Sequence, residues 1–314
     1  GIVTTACLNE NNINKIIAFD YDKNLIKEIN NFNFPIEEPK VKEKFKSLVN
    51  KNKLIITNDI KNLKINFDVI WITNDTPVND QDQADVLLVL NQIDRTLKNI
   101  KNKCLVIISS QLPLGTIKLL EKKYQTESHF SFAYVPENLR LGKSVDYFLN
   151  PDRLIIGTRT KNDFLKIIQI ISVKEDKCIR TSVEGAELTK HAINAFLATS
   201  ITFINELTKI SEKYNVNIEE VEKGLKSDFR IGQFAYLKAG PAFSGGTLAR
   251  DLIFLKDLYN NDDTSLFEII YQKNEIHKSW LIKQTEKLIQ TKNIKRISIL
   301  GLTYKPGTNT LRRS

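Results

Sequence analysis

A series of short, strongly apolar runs constrains the fold of this chain more than any other feature of its sequence. The runs are Lys15–Phe19, Phe67–Thr73, Cys104–Ser109, Phe130–Tyr134 and Leu154–Gly157, and helical stretches separate them. A strand that is covered on both faces is apolar at consecutive positions, whereas a half-exposed strand alternates. Such strands in alternation with helices predict a parallel sheet with helices on both faces, and therefore an α/β protein.

Polar and turn-forming residues follow these runs. They are Thr76, Pro77, Ser109, Ser110, Thr116 and Glu137. Ligands of open parallel sheets bind at the carboxyl ends of the strands, so these residues are candidates for a binding site. Gly1 and Asp20 support a dinucleotide site: the last glycine of a phosphate loop begins a helix, and an acid about 20 residues later holds the ribose. The sequence thus predicts a Rossmann-like domain whose first strand precedes Gly1.

A long helix is predicted from Glu184 to about Tyr214, because apolar residues recur there at steps of three and four. Helices of this length commonly serve as scaffolds or as dimer interfaces, so we expect a homodimer. Lys190 and Asn194 are four residues apart, which places an ammonium and an amide on one helix face. The alternative is a solvated lysine beside an asparagine that bonds its own backbone.

The segment Ala239–Asp251 reads AGPAFSGGTLARD and has the composition of a ligand-binding turn. Its glycines, Gly245 among them, allow the backbone to approach a ligand closely. The hydroxyl of Thr247 stands near two charged residues, Arg250 and Asp251. A purely structural turn is the alternative, and the segment alone does not decide between the two.

Composition excludes several classes of protein. The 314-residue chain has no apolar run long enough to cross a membrane and no signal peptide, so we expect a cytoplasmic location. Its three cysteines lack the spacing of a zinc site, and we expect no metal. The net charge of +9 comes from lysines scattered among acidic residues, which disfavours nucleic-acid binding and suits anionic ligands.

Eight blocks of the sequence together resemble the nucleotide-sugar dehydrogenase family. They are GIVTTACLNE, the pair TP at 76–77, SSQLPLGT, VPENLRLG with FLNPDRLIIG, AELTKHAINAFLATSITFINE, FRIG, AGPAFSGGTLARD and ISILGLTYKP. The resemblance implies an NAD-binding Rossmann-like domain at 1–181 and a central helical dimerisation and substrate segment at 182–293. It also implies the start of a truncated, Rossmann-like UDP-binding domain at 294–314, whose first strand would be Lys295–Gly301.

The resemblance also implies roles for individual residues. Enzymes of this family oxidise a sugar C6 hydroxymethyl to a carboxylate with two NAD⁺, through a thioester on a cysteine. The implied catalytic residues are Lys190, Asn194, Asp251, Glu137 and Thr247. The implied cofactor-binding residues are Gly1, Asp20, Thr76, Pro77, Ser110 and Thr116, and the implied substrate-binding residues are Arg230, Gly245 and Lys305. The substrate would be a UDP-sugar.

Two departures from the family pattern matter most. Thr247 aligns with the nucleophilic cysteine, and Leu141 aligns with a second acidic residue. A threonine hydroxyl is a far weaker nucleophile than a thiolate and needs an adjacent base. The first hydride transfer needs no cysteine, so a two-electron oxidation of the sugar remains open.

Two other hypotheses stay open at this point. The first is a catalytically silent protein that binds nucleotide sugars with the same fold. The second is a β-hydroxyacid dehydrogenase, a class that also carries Lys-x-x-x-Asn on a long helix, although the block LGLTYKP disfavours it. His191 follows Lys190 but points about 100° away around the helix. We therefore expect His191 to pack or to face solvent, and not to act as a base.

Overall fold

The computed structural model describes residues 1–8, 11–63, 65–79, 81–126, 129–137, 139–140, 142–244, 246–259, 264–292 and 294–301. The chain divides into two compact units. Unit 1 comprises Gly1–Pro77 and Asp85–Leu188, and unit 2 comprises Val78–Ala84 and the described residues from Thr189 onward. The division at Leu188 falls inside a helix, and the domain boundaries at 181/182 and 293/294 stay predictions.

Unit 1 is built from strands that alternate with helices, as the apolar runs predict. Its strands are β1 (Ile16–Phe19), β2 (Leu54–Thr57), β3 (Val69–Ile72), β4 (Cys104–Ile108), β5 (Phe130–Tyr134), β6 (Leu154–Thr158) and β7 (Cys178–Thr181). Its helices are α1 (Ile2–Cys7), α2 (Lys23–Asn30), α3 (Val41–Asn50), α4 (Val86–Leu97), α5 (Thr116–Lys123), α6 (Ser144–Leu149) and α7 (Lys161–Ile171). The α/β fold class is confirmed.

The strands form two sheets. β1 pairs with β2 in parallel, and the second sheet has the order β3-β4-β5-β6-β7. Every residue of β4 is buried, as expected for a strand covered on both faces. Around it lies a core of apolar side chains from the sheet and from α7. Its buried members are Leu105, Ile107, Ala133, Val135, Ile156, Phe164, Ile167, Ile171 and Val173.

Three features of unit 1 differ from the sequence predictions. β6 runs antiparallel to β5, with Ala133 opposite Thr158, whereas the other strand pairs in the described structure are parallel. Apolar runs do not encode direction, because a strand buried on both faces looks alike in either orientation. Strands β2 and β7 were not predicted. β7 lies at a sheet edge and is half-exposed, so its sequence, CIRT, carries no apolar signal.

Helix α8 (Val183–Tyr214) confirms the predicted long helix, and it continues from unit 1 into unit 2. Unit 2 also contains α9 (Ile218–Ser227), α10 (Gly246–Lys256), α11 (Leu266–His277) and α12 (Trp280–Lys292). Small and apolar side chains join α8, α10 and α11 in one buried cluster. Its members are Ala195, Ala198, Phe243, Ala249, Leu252, Leu255 and Ile270.

The strand predicted at Lys295–Gly301 is wrong for this chain, because residues 294–301 carry neither a strand nor a helix. A strand needs a neighbouring strand for its backbone hydrogen bonds, and the apolar signal alone cannot supply one. Across the described ranges, we find no helix with the length and apolar character that a bilayer crossing requires.

Candidate active site

The segment before α10 is held in place by side chains of α8 and α11. The amide of Asn274 spans the backbone of Phe243, donating to its carbonyl (3.1 Å) and accepting from its N–H (2.9 Å). Asn205 Oδ1 accepts from the N–H of Gly240 at 3.1 Å, and His277 Nε2 lies 2.9 Å from the Gly240 carbonyl. The start of α10 is therefore positioned by specific hydrogen bonds, which a solvent-exposed turn would lack.

Helices α8 and α10 form a buried polar cluster around Asp251, which has no solvent exposure. His191 Nδ1 lies 2.8 Å from Asp251 Oδ1, and Asn194 Nδ2 donates to the other carboxylate oxygen. Asp251 and Asn194, both predicted as site residues, thus lie in contact. The cluster can hold the Asn194 amide in one orientation.

His191 contacts Asp251, although the sequence did not identify it as a site residue. This residue is fully buried, so the expectation that it packs is confirmed, and its ring meets that of Phe254 edge-on at 5.4 Å. Its contact with Asp251 was not anticipated. The available signal was the three-residue step between His191 and Asn194, which places both side chains on one helix face.

Two further predicted residues flank this cluster along the chain. Lys190 is half-buried and precedes Asn194 by about one turn of α8. Thr247 is exposed in the first turn of α10, one turn before Asp251. An ammonium, an amide and a carboxylate are groups that can orient a substrate hydroxyl and stabilise a developing negative charge.

The pKa of each of the three thiols of the chain is raised above its ordinary value. Burial raises the pKa of Cys7 to about 11 and that of Cys104 to about 11. Burial also raises the pKa of Cys178, and two nearby carboxylates raise it further. A thiolate is the reactive form, so these thiols are poor nucleophiles at neutral pH.

In unit 1, the predicted dinucleotide residues lie at strand ends. Asp20 directly follows β1, and its carboxylate accepts a hydrogen bond from the N–H of Asp22 at 2.9 Å. Gly1 precedes α1, and a Cβ at this position would lie 2.9 Å from Thr73 Oγ1, just beyond β3. The backbone of Gly1 therefore approaches the end of β3 in a way that a larger residue could not reproduce without a shift.

The turns after β3 and β4 are joined by a predicted residue. Thr76 is buried, and its hydroxyl donates to the Gln111 carbonyl at 2.7 Å. Pro77 follows, and its carbonyl accepts from the N–H of Asp85 at 2.8 Å. Ser110 is also buried, and its Oγ has no hydrogen-bond partner in the described structure. An orphaned buried hydroxyl at a strand end is consistent with a polar ligand there.

Thr116 and Glu137 occupy different positions around this sheet. Thr116 is the first residue of α5, and its buried hydroxyl donates to the Pro113 carbonyl at 2.6 Å. Glu137 follows β5 and accepts a hydrogen bond from Thr4 of α1 at 2.9 Å. The strand-end residues of unit 1 therefore make specific contacts, although their roles stay predictions.

Of the predicted substrate-binding residues, Arg230 lies within the described structure. Arg230 is exposed and pairs with Asp228, with Nη2 2.7 Å from a carboxylate oxygen. The guanidinium holds the pKa of Asp228 below its usual range. Gly245, Lys305 and Leu141 lie outside the described residues.

The fold matches that of solved dehydrogenases. A UDP-glucose dehydrogenase from Pyrobaculum islandicum superposes with a TM-score of 0.82 at 23% identity, covering 100% of this chain and 73% of that one. A UDP-D-ManNAc dehydrogenase from Pyrococcus horikoshii gives a TM-score of 0.84 at 23% identity, covering 100% and 75%. At this identity the likeness shows the fold alone.

Sequence relatives are closer. A UDP-glucose 6-dehydrogenase of Rickettsia prowazekii is 34% identical over 307 residues, which are 95% of this chain and 70% of that protein. The UDP-glucose 6-dehydrogenase TuaD of Bacillus subtilis is 30% identical over 318 residues, covering 99% and 68%.

Two family models cover most of the chain. Residues 1–173 match the NAD binding domain of the UDP-glucose/GDP-mannose dehydrogenase family, and residues 184–277 match its central domain. NAD is therefore the cofactor, and it supplies a hydride acceptor when bound. Two features fit that cofactor. Asp20 follows the end of β1, and the backbone of Gly1, which has no side chain, lies close to the end of β3. The chain belongs to the UDP-glucose/GDP-mannose dehydrogenase family, whose members are NAD-dependent enzymes that oxidise a CH–OH group of a nucleotide sugar.

Proposed function

We propose that this protein oxidises the C6 hydroxyl of a UDP-hexose with NAD⁺ and stops at the two-electron stage. The observation that carries the proposal is the buried cluster in which Asp251 contacts both His191 and Asn194. A carboxylate without solvent exposure holds its partners in one arrangement, as a site for a developing charge requires. The relatives named UDP-glucose 6-dehydrogenase support the substrate class.

Lys190 and Asn194 are the proposed donors to the reacting oxygen. An asparagine amide nitrogen carries two hydrogens. One of those of Asn194 is donated to Asp251, and the other is assigned to the substrate oxygen. Lys190 adds a cation on the same helix face. Asp251 then acts by orienting the amide of Asn194. This role is favoured because Asp251 is completely buried and has no contact with bulk water.

The proposed reaction balances as one hydride transfer. The C6 hydroxymethyl loses a hydride to NAD⁺ and a proton from its oxygen, which gives an aldehyde, NADH and H⁺. Thr116 is assigned to the nicotinamide end of the cofactor and Glu137 to the movement of protons or water. Asp20 is assigned to the ribose hydroxyls. Thr76, Pro77 and Ser110 are assigned to the remaining cofactor contacts at the strand ends.

Thr247 is the reason for the two-electron limit. A covalent route to the acid needs a nucleophile that adds to the aldehyde, and a hydroxyl does so far less readily than a thiolate. Burial raises the pKa of Cys7 and of Cys104, which disfavours those thiols for this task at neutral pH. The substitution at Thr247 therefore favours release of an aldehyde over formation of an ester.

The diphosphate of the substrate is assigned to Arg230, Gly245 and Lys305. Arg230 presents an exposed guanidinium, which suits bidentate contact with phosphate. Its bond to Asp228 would have to be shared or exchanged when the phosphate arrives.

We assign α8 to a homodimer interface. Three large side chains, Phe196, Phe203 and Ile210, recur at seven-residue steps and therefore lie on one face of the helix. Their exposures are 71%, 48% and 56%, respectively. A stripe of this kind on a 32-residue helix is typical of a surface that another helix covers. Sedimentation of the wild-type protein and of Phe196→Glu tests this assignment: the wild type should be a dimer and the variant a monomer.

The decisive experiment is the electron stoichiometry. Purified protein is incubated with NAD⁺ and, separately, UDP-glucose, UDP-N-acetylmannosamine and GDP-mannose, and NADH formed per sugar consumed is measured together with the product mass. One NADH and an aldehyde support the proposal. Two NADH and a carboxylate contradict the two-electron limit, and binding of every sugar without NADH contradicts the enzyme assignment.

A silent nucleotide-sugar-binding protein is the second candidate, and Thr247 is the observation that favours it. This candidate predicts calorimetric binding of a UDP-sugar without turnover. Thr247→Cys then provides a discriminating variant, with Thr247→Ser as its matched control. A gain of NADH formation in the cysteine variant alone would show that the remaining residues are competent and that the nucleophile is missing.

A further inference from the structure

Glu187 is a buried carboxylate that has no part in the proposed reaction. It lies in the first turns of α8 and is 1% exposed. Its Oε2 accepts a hydrogen bond from the N–H of Gly115 at 3.0 Å, and its Oε1 accepts from the N–H of Ile117 at 3.1 Å. Both oxygens of one side chain thus bind the backbone at the start of α5, about 70 residues earlier in the chain.

The contact supplies what α5 lacks locally. The first N–H groups of a helix have no partner within it, and the residue before the helix normally provides one through its side chain. The residue before α5 is Gly115, which has no side chain and adopts a left-handed backbone with φ of 87°. The carboxylate of Glu187 takes the place of that local cap, and its negative charge suits the positive end of the helix.

The position of Glu187 is itself determined by close packing at the start of α8. A Cβ on Gly157, in β6, would lie 2.7 Å from the Cβ of Ala186 and 2.9 Å from the backbone of Val183, so the helix rests directly on the strand. One turn before Glu187, Glu184 binds Arg159 through two hydrogen bonds of 2.7 and 2.8 Å. These contacts fix the start of α8, and therefore the position from which the Glu187 carboxylate reaches α5.

Because a side chain of the protein already occupies the N-terminus of α5, this terminus is not available to a phosphate of the cofactor. The contact of Glu187 with α5 can instead hold in place the turn that contains Thr116. That turn is bonded from two sides: by Glu187 through the backbone of Gly115 and Ile117, and by the Thr116 hydroxyl through the Pro113 carbonyl at 2.6 Å.

We infer that Glu187 is a positioning residue that sets the place of Thr116 for the nicotinamide end of NAD by capping α5 from α8. The inference rests on the proposed function, in which Thr116 lies beside the nicotinamide. Glu187 also precedes Lys190 by three residues on one helix.

The test compares Glu187→Gln with Glu184→Gln in the full chain. The first substitution removes the charge of the cap and one of its two acceptors at nearly constant volume. The second removes a carboxylate one turn earlier that binds Arg159 and not the backbone of α5. It controls for a general loosening of α8. The measurements are amide hydrogen exchange of residues 113–118, the NADH dissociation constant by fluorescence titration, and the separate KM values for NAD⁺ and the UDP-sugar.

For Glu187→Gln we expect amide exchange at Gly115 and Ile117 to accelerate about tenfold or more, and NADH binding to weaken about tenfold. The KM for NAD⁺ should rise while the KM for the UDP-sugar stays within about twofold. Glu184→Gln should change none of these values. If the two variants behave alike, or if both KM values move together with the thermal midpoint, the inference is wrong.

The outcome for Glu187 can be separated from the outcome for the enzyme. If wild-type protein binds NADH but forms none from any sugar, the proposed reaction fails. Amide exchange and the NADH dissociation constant then still decide the role of Glu187. A Glu187→Gln variant with unchanged NADH affinity would overturn the inference even in an active enzyme.

Discussion

Two carboxylates of unit 2 show how burial changes what the same functional group does. Asp251 is completely buried between His191 and Asn194, whereas Asp228 pairs with Arg230 at the surface, where the arginine side chain is 75% exposed. Both groups are fully engaged in hydrogen bonds. Water can replace the partners of Asp228, but it cannot reach Asp251, so loss of a partner should be costly only in the buried cluster.

A third arrangement, in unit 1, joins two carboxylates to one partly exposed arginine. Arg159 binds Glu184 and Glu121, and the three side chains are 37%, 40% and 26% exposed, respectively. The hydrogen bonds from Arg159 lower the pKa of Glu184 to about 2. The side chain that pairs with the carboxylate is fully buried in His191, 37% exposed in Arg159 and 75% exposed in Arg230. Substitutions in the three arrangements test whether burial of the partner sets the size of each effect.

The largest effect is expected for Asp251→Ala. The substitution leaves the buried His191 and Asn194 without their shared acceptor, so we expect the free energy of unfolding to fall by about 3 kcal/mol. NADH formation should be lost as well. Urea unfolding measures the first effect, with Asp228→Ala as the matched control, and a fall of less than about 1 kcal/mol would contradict the importance of burial.

The second prediction concerns coupling within the buried cluster. Asn194→Ala and Asp251→Ala should not add in the double variant, because each single substitution already breaks the same hydrogen bond. We expect a coupling energy of about 1–2 kcal/mol from urea unfolding of the two single variants and the double variant. Additive effects would show that the contact between Asn194 and Asp251 contributes little.

An intermediate, pH-dependent effect is expected for Arg159→Ala. Since the pKa of folded Glu184 lies near 2, below its ordinary value of 4.5, the contact stabilises the protein above about pH 4.5. That contribution is lost as the pH falls from about 4.5 through about 2. Partial exposure reduces it to about 1 kcal/mol, so the difference in unfolding free energy between wild type and variant should shrink between pH 6 and pH 3. A constant difference would contradict the charge argument.

The smallest effect on stability is expected for Arg230→Ala. An exposed pair contributes little, so the free energy of unfolding should stay close to that of the wild type. If Arg230 contacts the diphosphate, the same variant should bind UDP about tenfold more weakly by calorimetry. Arg230→Lys serves as the control for charge without the bidentate geometry, and unchanged UDP affinity in both variants would remove Arg230 from the substrate site.

Much of unit 1 could be predicted from local patterns. The runs at Lys15–Phe19, Cys104–Ser109 and Phe130–Tyr134 each correspond to a strand. In β4, where every residue is buried, burial on both faces requires apolar residues at consecutive positions. The edge strand Cys178–Thr181 could not be found in this way. Its exposed residues are free to be polar, and only its pairing with β6 defines it.

In helix α8, too, some features could be predicted from the sequence and others could not. Its length and the common face of Lys190 and Asn194 follow from the period of 3.6 residues. The contact of His191 with Asp251 joins residues 60 positions apart, and no local pattern predicts such a pair.

By itself, the sequence determined the α/β class, most strands, the long helix and the positions of candidate site residues along each element. Those properties depend on spacing, which is local. Only the tertiary structure decided the antiparallel direction of β6, the burial of Asp251 between His191 and Asn194, and the capping of α5 by Glu187. Each of these depends on contacts between residues that are far apart in the sequence. The two polar contacts lie in a dry interior, where an unpaired polar group is costly and its partner must come from whichever distant residue the fold brings close.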